Sequence, residues 1–496
     1  MNSARSFAAV DLGAETGRIV VGRLRSARIE LEIVGRFGNN PVRLPDGLHW
    51  NMLSVFSRTL DGLAAAAALG RLDGIGVDAW GCDYAALDDA GRVLGTPFHY
   101  RDARTSAMVE RAYDRVSFRE LYAVTGIQSM PINTLFQLLA DQGSPIVDSM
   151  RRLALVPDLI ALWLTGVLEN EITAASTTGL LDARAGAWAR QLAVRLGLPT
   201  APFEGTLTEP GRLLGPVLTG HDGLAGIPVR TVAGHDTASA FAAVPISSPN
   251  AAIISSGTWS LVGMELAEPR LGDDAAEANL SNERGVDGTT RLLRNVMGLW
   301  LLQECRRQWS HAGQPSDYDE LTHLAAAARP DVPLFDPDEP AFLSPGDVPA
   351  RIAAACRASG QEGPRDRGET VRSIFISLAC KYRFILELLE RVSGRRVEVL
   401  HVVGGGARNE LLCQLTADIT GIPVIAGPVE AAALGNVLIQ ARAAGELASL
   451  AEMRELVSLS FDPRTYVPLD IDGGVAAYQR FLELLSSTRR AAAALA

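Results

Sequence analysis

The chain has 496 residues, 47% hydrophobic and 21% charged, a composition of folded domains and a length too great for one ordinary core. Its formal net charge of -11 is spread along the chain, so no basic patch offers itself to a nucleic acid or an anionic membrane. Five scattered cysteines, with no CxxC pair and no metal-ligand spacing, read as reduced thiols of a cytoplasmic protein.

The apolar run before Asp11 is too short for a signal peptide, so none is expected. The first predicted elements are two strands in "AAVDLGAETGRIVVGRL", residues 8–24, joined by a small polar turn from Asp11 to Arg18. Phosphate-binding turns of dinucleotide folds and P-loops open a helix, whereas this one opens a second strand. "GIGVDAWG" reads as a buried strand, and "TLFQLLADQ" and "IALWLTG" as helices. Pro157 and Asp158 interrupt the one stretch that approaches a membrane span. "GIPVRTVAGHDTASAFAAV" reads as strand, turn and helix, with His235 and Asp236 at the helix start. The Pro/Ser/Asn-rich connector "PISSPNAA", 245–252, is the expected boundary between domains 1–245 and 246–496.

Beyond the connector, "AAIISSGTWSLVGMEL" repeats the strand, polar turn and strand, with Ser255 to Thr258 as the turn. In "LLRNVMGLWLLQECRRQW", Asn295 and Gln303 lie eight residues apart, a spacing that puts both on one face of a helix. Pro315 to Gly368, rich in Pro, Asp and Gly, reads as a surface excursion that is partly helical around "ARIAAACRAS". "VEVLHVVGGGARNELLCQLTADITGIPVIAG" reads as strand, triple-glycine turn, helix and strand, and the C-terminal stretch as a helix that frays at its end. Short β-branched runs alternating with helical patterns make the chain α/β.

Two strand-flanked turns can offer backbone N–H groups and the hydroxyls of Thr16 and Thr258 to a chain of phosphates, with Gly13, Gly17 and Gly257 admitting the backbone. The Gly404–Gly406 run serves either a tight strand-to-helix turn or a flat nucleotide base and its sugar. Asp11 is placed to hold Mg2+ through water, because Mg2+ takes a few carboxylates together with phosphate oxygens. Asp236 reads equally as a helix cap or as a carboxylate that accepts a proton from a substrate hydroxyl in phosphoryl transfer. His235 reads as a buried imidazole or as a hydrogen-bond partner of a sugar. "VDAWGCDY" and "YRDART" gather Asp78, Trp80, Asp83, Tyr100, Arg101 and Arg104, which suits either a sugar site or an exposed ion-pair loop.

Eight segments in order across residues 7–467 resemble the FGGY carbohydrate kinases, of the actin and ribonuclease H-like superfamily. They are "AVDLGAETGR", "GVDAWGCDYAALDDAGRVLGTPFHYRDART", "GIQSMPINTLFQL", "LVPDLIALWLTG", "HDTASA", "SSGTWSLVG", "NVMGLWLLQE" and "HVVGGGARNELLCQLTADITGIPV". The resemblance implies two ribonuclease H-like domains with a nucleotide and sugar cleft between them. It also implies transfer of the γ-phosphate of ATP, with Mg2+, to the 1-hydroxyl of a ketose. "GIQ…NTL" and "NVMGLWLLQE" point within the family to L-rhamnulose.

Carried over by position, the resemblance makes Asp236 the base and Ala14, Thr16, Gly17 and Arg18 the first phosphate turn, with Thr258 in the second. Gln303 and the triple glycine, Gly405 foremost, match nucleotide contacts. Gly81, His235, Asp236, Thr237 and Asn295 match sugar contacts. Glu15, Cys82 and Asn51 depart from the Ser, aliphatic residue and Asp common in relatives. Alternatives are a kinase for L-fuculose, xylulose or ribulose, and a nucleotide-switched actin-like binding protein, which has no use for "GHDT" or the "WGCDY…YRDART" cluster. A small-molecule sugar is the expected partner, with no nucleic acid and no membrane; monomer and dimer stay open.

Overall fold

The computed structural model describes residues 5–25, 27–218 and 223–495. Residues 1–4, part of the segment read as free of a signal peptide, and Ala496, the expected frayed end, lie outside the described residues. The chain divides into two units. The first comprises Met1–Ile246, Glu265–Leu293 and Glu430–Asp462, and the second Ser247–Met264, Arg294–Val429 and Pro463–Ala496. The expected connector at 245–252 contains the first crossing, and the chain crosses between units four more times.

The first unit is built on a six-stranded sheet. Its Arg5–Leu12 strand is central, because Phe7 to Val10 are fully buried. That strand pairs antiparallel with Thr16–Arg25, which pairs antiparallel with Arg28–Gly38. On its other side it runs parallel to Gly74–Ala79, followed by the parallel Pro228–Arg230 and the antiparallel Leu213–Pro216. In the second unit, Ala251–Ser256 pairs antiparallel with Trp259–Leu266 and parallel with Val399–Val403. Val424–Ala426 continues in parallel, and Arg464–Tyr466 closes in antiparallel. Both sheets thus order a hairpin, two parallel strands and an antiparallel strand in the same way, which extends the repeated turn of the sequence to a repeated sheet.

The Ala431–Ala443 helix belongs to the first unit and packs on the Asp236–Ala242 helix. Gly435 makes that approach possible, since a Cβ there would lie 1.8 Å from the Ser239 carbonyl oxygen. Along the same helix Asn436 Nδ2 donates to Asp78 Oδ2 at 2.6 Å, and Gln440 Nε2 donates to Asn436 Oδ1 at 2.7 Å and to the Ala8 carbonyl at 3.0 Å. A buried polar chain therefore ties this helix to the central strands.

Two expectations fail. Pro315 to Gly368 is no surface excursion: Leu321, Val332, Leu334, Phe335, Phe342, Val348, Ile352 and Cys356 are all buried at 0–1% exposure. Three of its aspartates are spent on helix ends, where Asp317, Asp347 and Asp366 accept the N–H groups of Glu320, Ala350 and Glu369, and Asp336 and Asp338 pair with the buried Lys381. A polar composition that reads as loop is here the capping of Tyr318–Ala327, Val348–Ala358 and Arg367–Ser393. Asn295 and Gln303 also share no helix face. Asn295 lies on the Thr290–Met297 strand and Gln303 on the Trp300–His311 helix. Gly298 separates the two, because a Cβ there would come within 2.6 Å of the Trp259 backbone.

Candidate active site

In the first unit, the sheet register sets Asp11 beside both Arg18 and Asp78. Arg18 Nη2 lies 2.9 Å from Asp11 Oδ2, and Arg18 Nη1 bonds Glu430, the residue that precedes the Ala431–Ala443 helix. Burial pushes the Asp11 carboxyl up to about 6; Arg18 opposes this, and the charges of Asp236 and Glu430 add to it. Burial raises Asp78 well above the usual carboxylate range, and Asp11 raises it further. Asp78 Oδ1 is buried with no hydrogen-bond partner among the described residues. Among the described residues no group of three or more His, Cys, Asp or Glu could enclose a metal. Two carboxylates with one orphaned buried oxygen fit a cation that keeps its waters and takes phosphate oxygens, the habit of Mg2+.

The remainder of the first polar turn is tight. Gly13 N–H donates to the Thr16 carbonyl at 2.9 Å, and Asn39 N–H to the Glu15 carbonyl at 2.9 Å. Ala14 and Arg18 are half-buried, Thr16 is exposed, and Gly17 is buried where a Cβ would strike the Phe37 ring.

Asp236 opens its helix, with His235 at the N-cap position. The His235 backbone is held by its N–H to Thr173 Oγ1 at 3.2 Å and by Gly234 N–H to Glu171 Oε2 at 2.9 Å. The Asp236 side chain is 28% exposed. Thr237 Oγ1 donates to Asp236 Oδ1 at 3.0 Å, and His235 Nε2 lies 3.5 Å from the same oxygen. Both contacts fall on Oδ1 and leave Oδ2 to one side. His235 Nδ1 in turn lies 3.1 Å from Arg291 Nη2 and 3.2 Å from Glu283 Oε2.

The "WGCDY" and "YRDART" segments are buried, so the exposed ion-pair loop is ruled out. Asp83 is 0% exposed and accepts from Trp50 Nε1 at 2.5 Å, Trp80 Nε1 at 2.9 Å and Gln137 Nε2 at 2.9 Å. Burial pushes its carboxyl up to about 6 against those three bonds. Asp83 is therefore an internal tether that fixes the two indoles, whose centroids lie 4.3 Å apart. Gly81 backs onto Thr177, 2.8 Å from where its Cβ would stand. Cys82 takes a left-handed φ of 73°, with its N–H donating to Thr177 Oγ1 at 3.0 Å. Asn51, the third departure, caps the Met52–Ala68 helix by accepting from Ser54 N–H at 3.2 Å.

In the second unit, the Ser255–Thr258 turn is braced by Gly298 to Trp300. Leu299 N–H donates to the Gly257 carbonyl at 2.9 Å, and Gly298 and Trp300 N–H donate to the Thr258 carbonyl at 3.1 and 3.2 Å. Thr258 and Asn295 are half-buried. Gln303 Oε1 is buried without a hydrogen-bond partner among the described residues. The three glycines differ in kind. Gly404, at φ 81°, and Gly406 press against Ser256, where added Cβ atoms would lie 2.8 and 2.0 Å from its oxygens. Gly405 is exposed and a Cβ on it would meet nothing within 4 Å. The open backbone at Gly405 fits a flat ligand, and the amide oxygen of Gln303 fits an N–H donor.

The FGGY family of carbohydrate kinases matches twice, its N-terminal domain on residues 46–242 and its C-terminal domain on 252–444. The chain belongs to the FGGY family of carbohydrate kinases. It is an ATP-dependent sugar kinase, a phosphotransferase with an alcohol acceptor. This kinase is 41% identical over 484 residues to the rhamnulokinase of Bacteroides thetaiotaomicron, covering 96% of this chain and 99% of that one. It is 39% identical over 488 residues to the rhamnulokinase of Enterococcus faecalis, covering 97% and 98%. Among solved structures, gluconate kinase from Lactobacillus acidophilus matches with a TM-score of 0.78 at 15% identity, covering 99% and 98% of the two chains. Plasmodium falciparum glycerol kinase with ADP matches at 0.75 and 15%, covering 98% of each. The kinase thus has the actin-like ATPase fold that its sequence implied.

Glu283, Arg291, Glu430, Asn436 and Thr177 escaped the sequence reading. Arg291 gave little signal, since it stands between Thr290 and Leu292 in a strand that also carries Arg294.

Proposed function

We propose that this kinase transfers the γ-phosphate of ATP to the 1-hydroxyl of L-rhamnulose, with Asp236 as general base. The observation that carries the substrate is the identity of 39–41% to rhamnulokinases over nearly the whole chain. The observation that supports the base is geometric: Asp236 stands half-open at a helix start, and its contacts with Thr237 and His235 both fall on Oδ1. Asp236 Oδ2 takes the hydroxyl proton as the new P–O bond forms, a modest demand because phosphoryl transfer asks mainly for orientation and late proton removal.

Gly81, His235, Thr237 and Asn295 are assigned to the sugar. Ala14, Thr16, Gly17, Arg18 and Thr258 are assigned to the phosphates, and Gln303 and Gly405 to the adenosine. Asp11 would hold Mg2+ through water, with Asp78 behind it. When bound, Mg2+ neutralises charge on the phosphate oxygens. The first phosphate turn, the base and every sugar contact but Asn295 fall in 1–245, and the second phosphate turn and the adenosine contacts in 246–496. Cytoplasmic residence accords with five free cysteines. Among the described residues no helix is long and apolar enough to cross a membrane. A small sugar, with neither nucleic acid nor membrane, is the partner.

The test is ADP release with Mg-ATP against L-rhamnulose, L-fuculose, L- and D-xylulose, L-ribulose, D-fructose and glycerol. L-Rhamnulose should lead in kcat/KM. A different leader overturns the substrate, and no stimulation by any of them overturns the reading.

A further inference from the structure

Arg291 is 0% exposed, on a strand whose other side chains are mostly apolar. Burying a guanidinium is costly unless its donors are used, and this one uses them unevenly. Nε donates to the Arg284 carbonyl at 3.0 Å, while Nη1 has no hydrogen-bond partner among the described residues. Nη2 lies 3.1 Å from Glu283 Oε2 and 3.1 Å from His235 Nδ1.

The last distance has a chemical consequence. Two groups face Nδ1: Arg291 Nη2 at 3.1 Å, in hydrogen-bond geometry, and Glu283 Oε2 at 3.2 Å, off that geometry. Arginine stays protonated and offers only hydrogens, so the Nη2 bond takes the lone pair of Nδ1. The imidazole proton then sits on Nε2, the nitrogen that lies 3.5 Å from Asp236 Oδ1. Glu283 Oε2, 3.1 Å from Nη2, holds the guanidinium in place by charge.

We propose that Arg291 is a positioning residue that fixes His235 as its Nε2–H tautomer, so that the ring presents a donor beside the Asp236 carboxylate. With the opposite tautomer, a second lone pair would stand beside the base and compete for the hydroxyl proton. With this one, Nε2–H donates to a sugar oxygen or to Asp236 and leaves a single acceptor for the proton. The bonds of Thr173 and Glu171 to the backbone at His235 hold the ring's base in place, so the direction of the proton rests on Arg291.

The inference rests on the assignment of Asp236 as base, and its test is independent of turnover. In protein labelled with 15N-histidine, two-bond 1H–15N correlation reports the tautomer of each of the seven histidines, with His235→Gln assigning the signal. Wild type is expected to carry the proton on Nε2. Arg291→Gln and Arg291→Lys are expected to move it wholly or partly to Nδ1. Their kcat/KM for the ketose should fall at least tenfold, while KM for ATP stays within twofold. A wild-type His235 protonated on Nδ1 overturns the proposal, and so does a variant that loses activity with its tautomer unchanged. If neither variant folds, the wild-type spectrum decides. Normal turnover in Asp236→Asn would remove the base and leave the tautomer result standing.

Discussion

Gly405 and Gly406 are adjacent and chemically identical, yet the structure assigns opposite consequences to their substitution. Gly406→Ala puts a Cβ 2.0 Å from Ser256 Oγ, 2.5 Å from its Cβ and 3.3 Å from its carbonyl oxygen. Rotating the hydroxyl relieves the first contact and leaves the second, so the strand and the turn must part. Overpacking of this kind costs about 1–3 kcal/mol, and each kcal/mol lowers Tm by about 2–4 °C in a domain of roughly 150–250 residues. Gly405→Val meets no atom within 4 Å at its Cβ and needs no left-handed backbone, so its Tm should stay within about 1–2 °C of wild type. Its branched side chain would instead occupy the space assigned to adenosine. If the same 1–3 kcal/mol falls on the ligand, KM for ATP rises about 5- to 150-fold. Differential scanning calorimetry and initial-rate kinetics at saturating ketose measure the two effects. An unchanged ATP KM in Gly405→Val refutes the adenosine assignment, and an unchanged Tm in Gly406→Ala refutes the packing argument.

Asp236→Asn should lower kcat by about 10²–10⁴-fold with ATP KM nearly constant, and near-normal turnover would remove it from the base role. Gln303→Met should raise KM for ATP by about 5- to 10-fold, the loss of one hydrogen bond, without lowering Tm; unaltered ATP kinetics would detach Gln303 from the nucleotide. Asp83 carries a pH signature. Its carboxyl is held near 6 in the fold against its ordinary 3.8, so the folded state binds its proton more tightly than the unfolded one. The stability it contributes is full below about pH 4 and is lost as pH rises to about 6, a loss of about 3 kcal/mol. Urea unfolding should therefore show wild type losing about 1.4 kcal/mol per pH unit relative to Asp83→Asn across that window. Parallel pH slopes for the two proteins would disprove it.

The features legible in the sequence were those with local causes. The two polar turns between strands, the buried "GIGVDA" strand and the start of the Asp236–Ala242 helix each follow from a few consecutive residues. The partners of the site residues do not. Arg291 meets His235 across 56 positions, Asn436 meets Asp78 across 358, and Glu430 meets Arg18 across 412. Nothing in a single sequence pairs residues at such distance. Where local reasoning erred, a packing constraint had overridden periodicity. The spacing of Asn295 and Gln303 suits a helix, but Gly298 lies so close to the Trp259 backbone that the chain must turn there. Asp317, Asp347 and Asp366 looked like loop chemistry because N-caps and loops draw on the same residue types.

The helix that buries Gly435 against Ser239 and reaches Asp78 through Asn436 is encoded far downstream of the strands it completes. Synthesis runs at about 5–20 residues per second, so the roughly 180 residues between Ile246 and Glu430 take about 10–40 s to emerge. Throughout that interval the nascent first unit shows an apolar face that awaits Val437 and Leu438, and Asp78 lacks its amide partner. The Asp236–Ala242 helix is therefore made well before the helix that braces it. Folding of the first unit is completed after the second has largely been made, and a chain cut at the connector would carry the Asp236 helix without the helix that supports it.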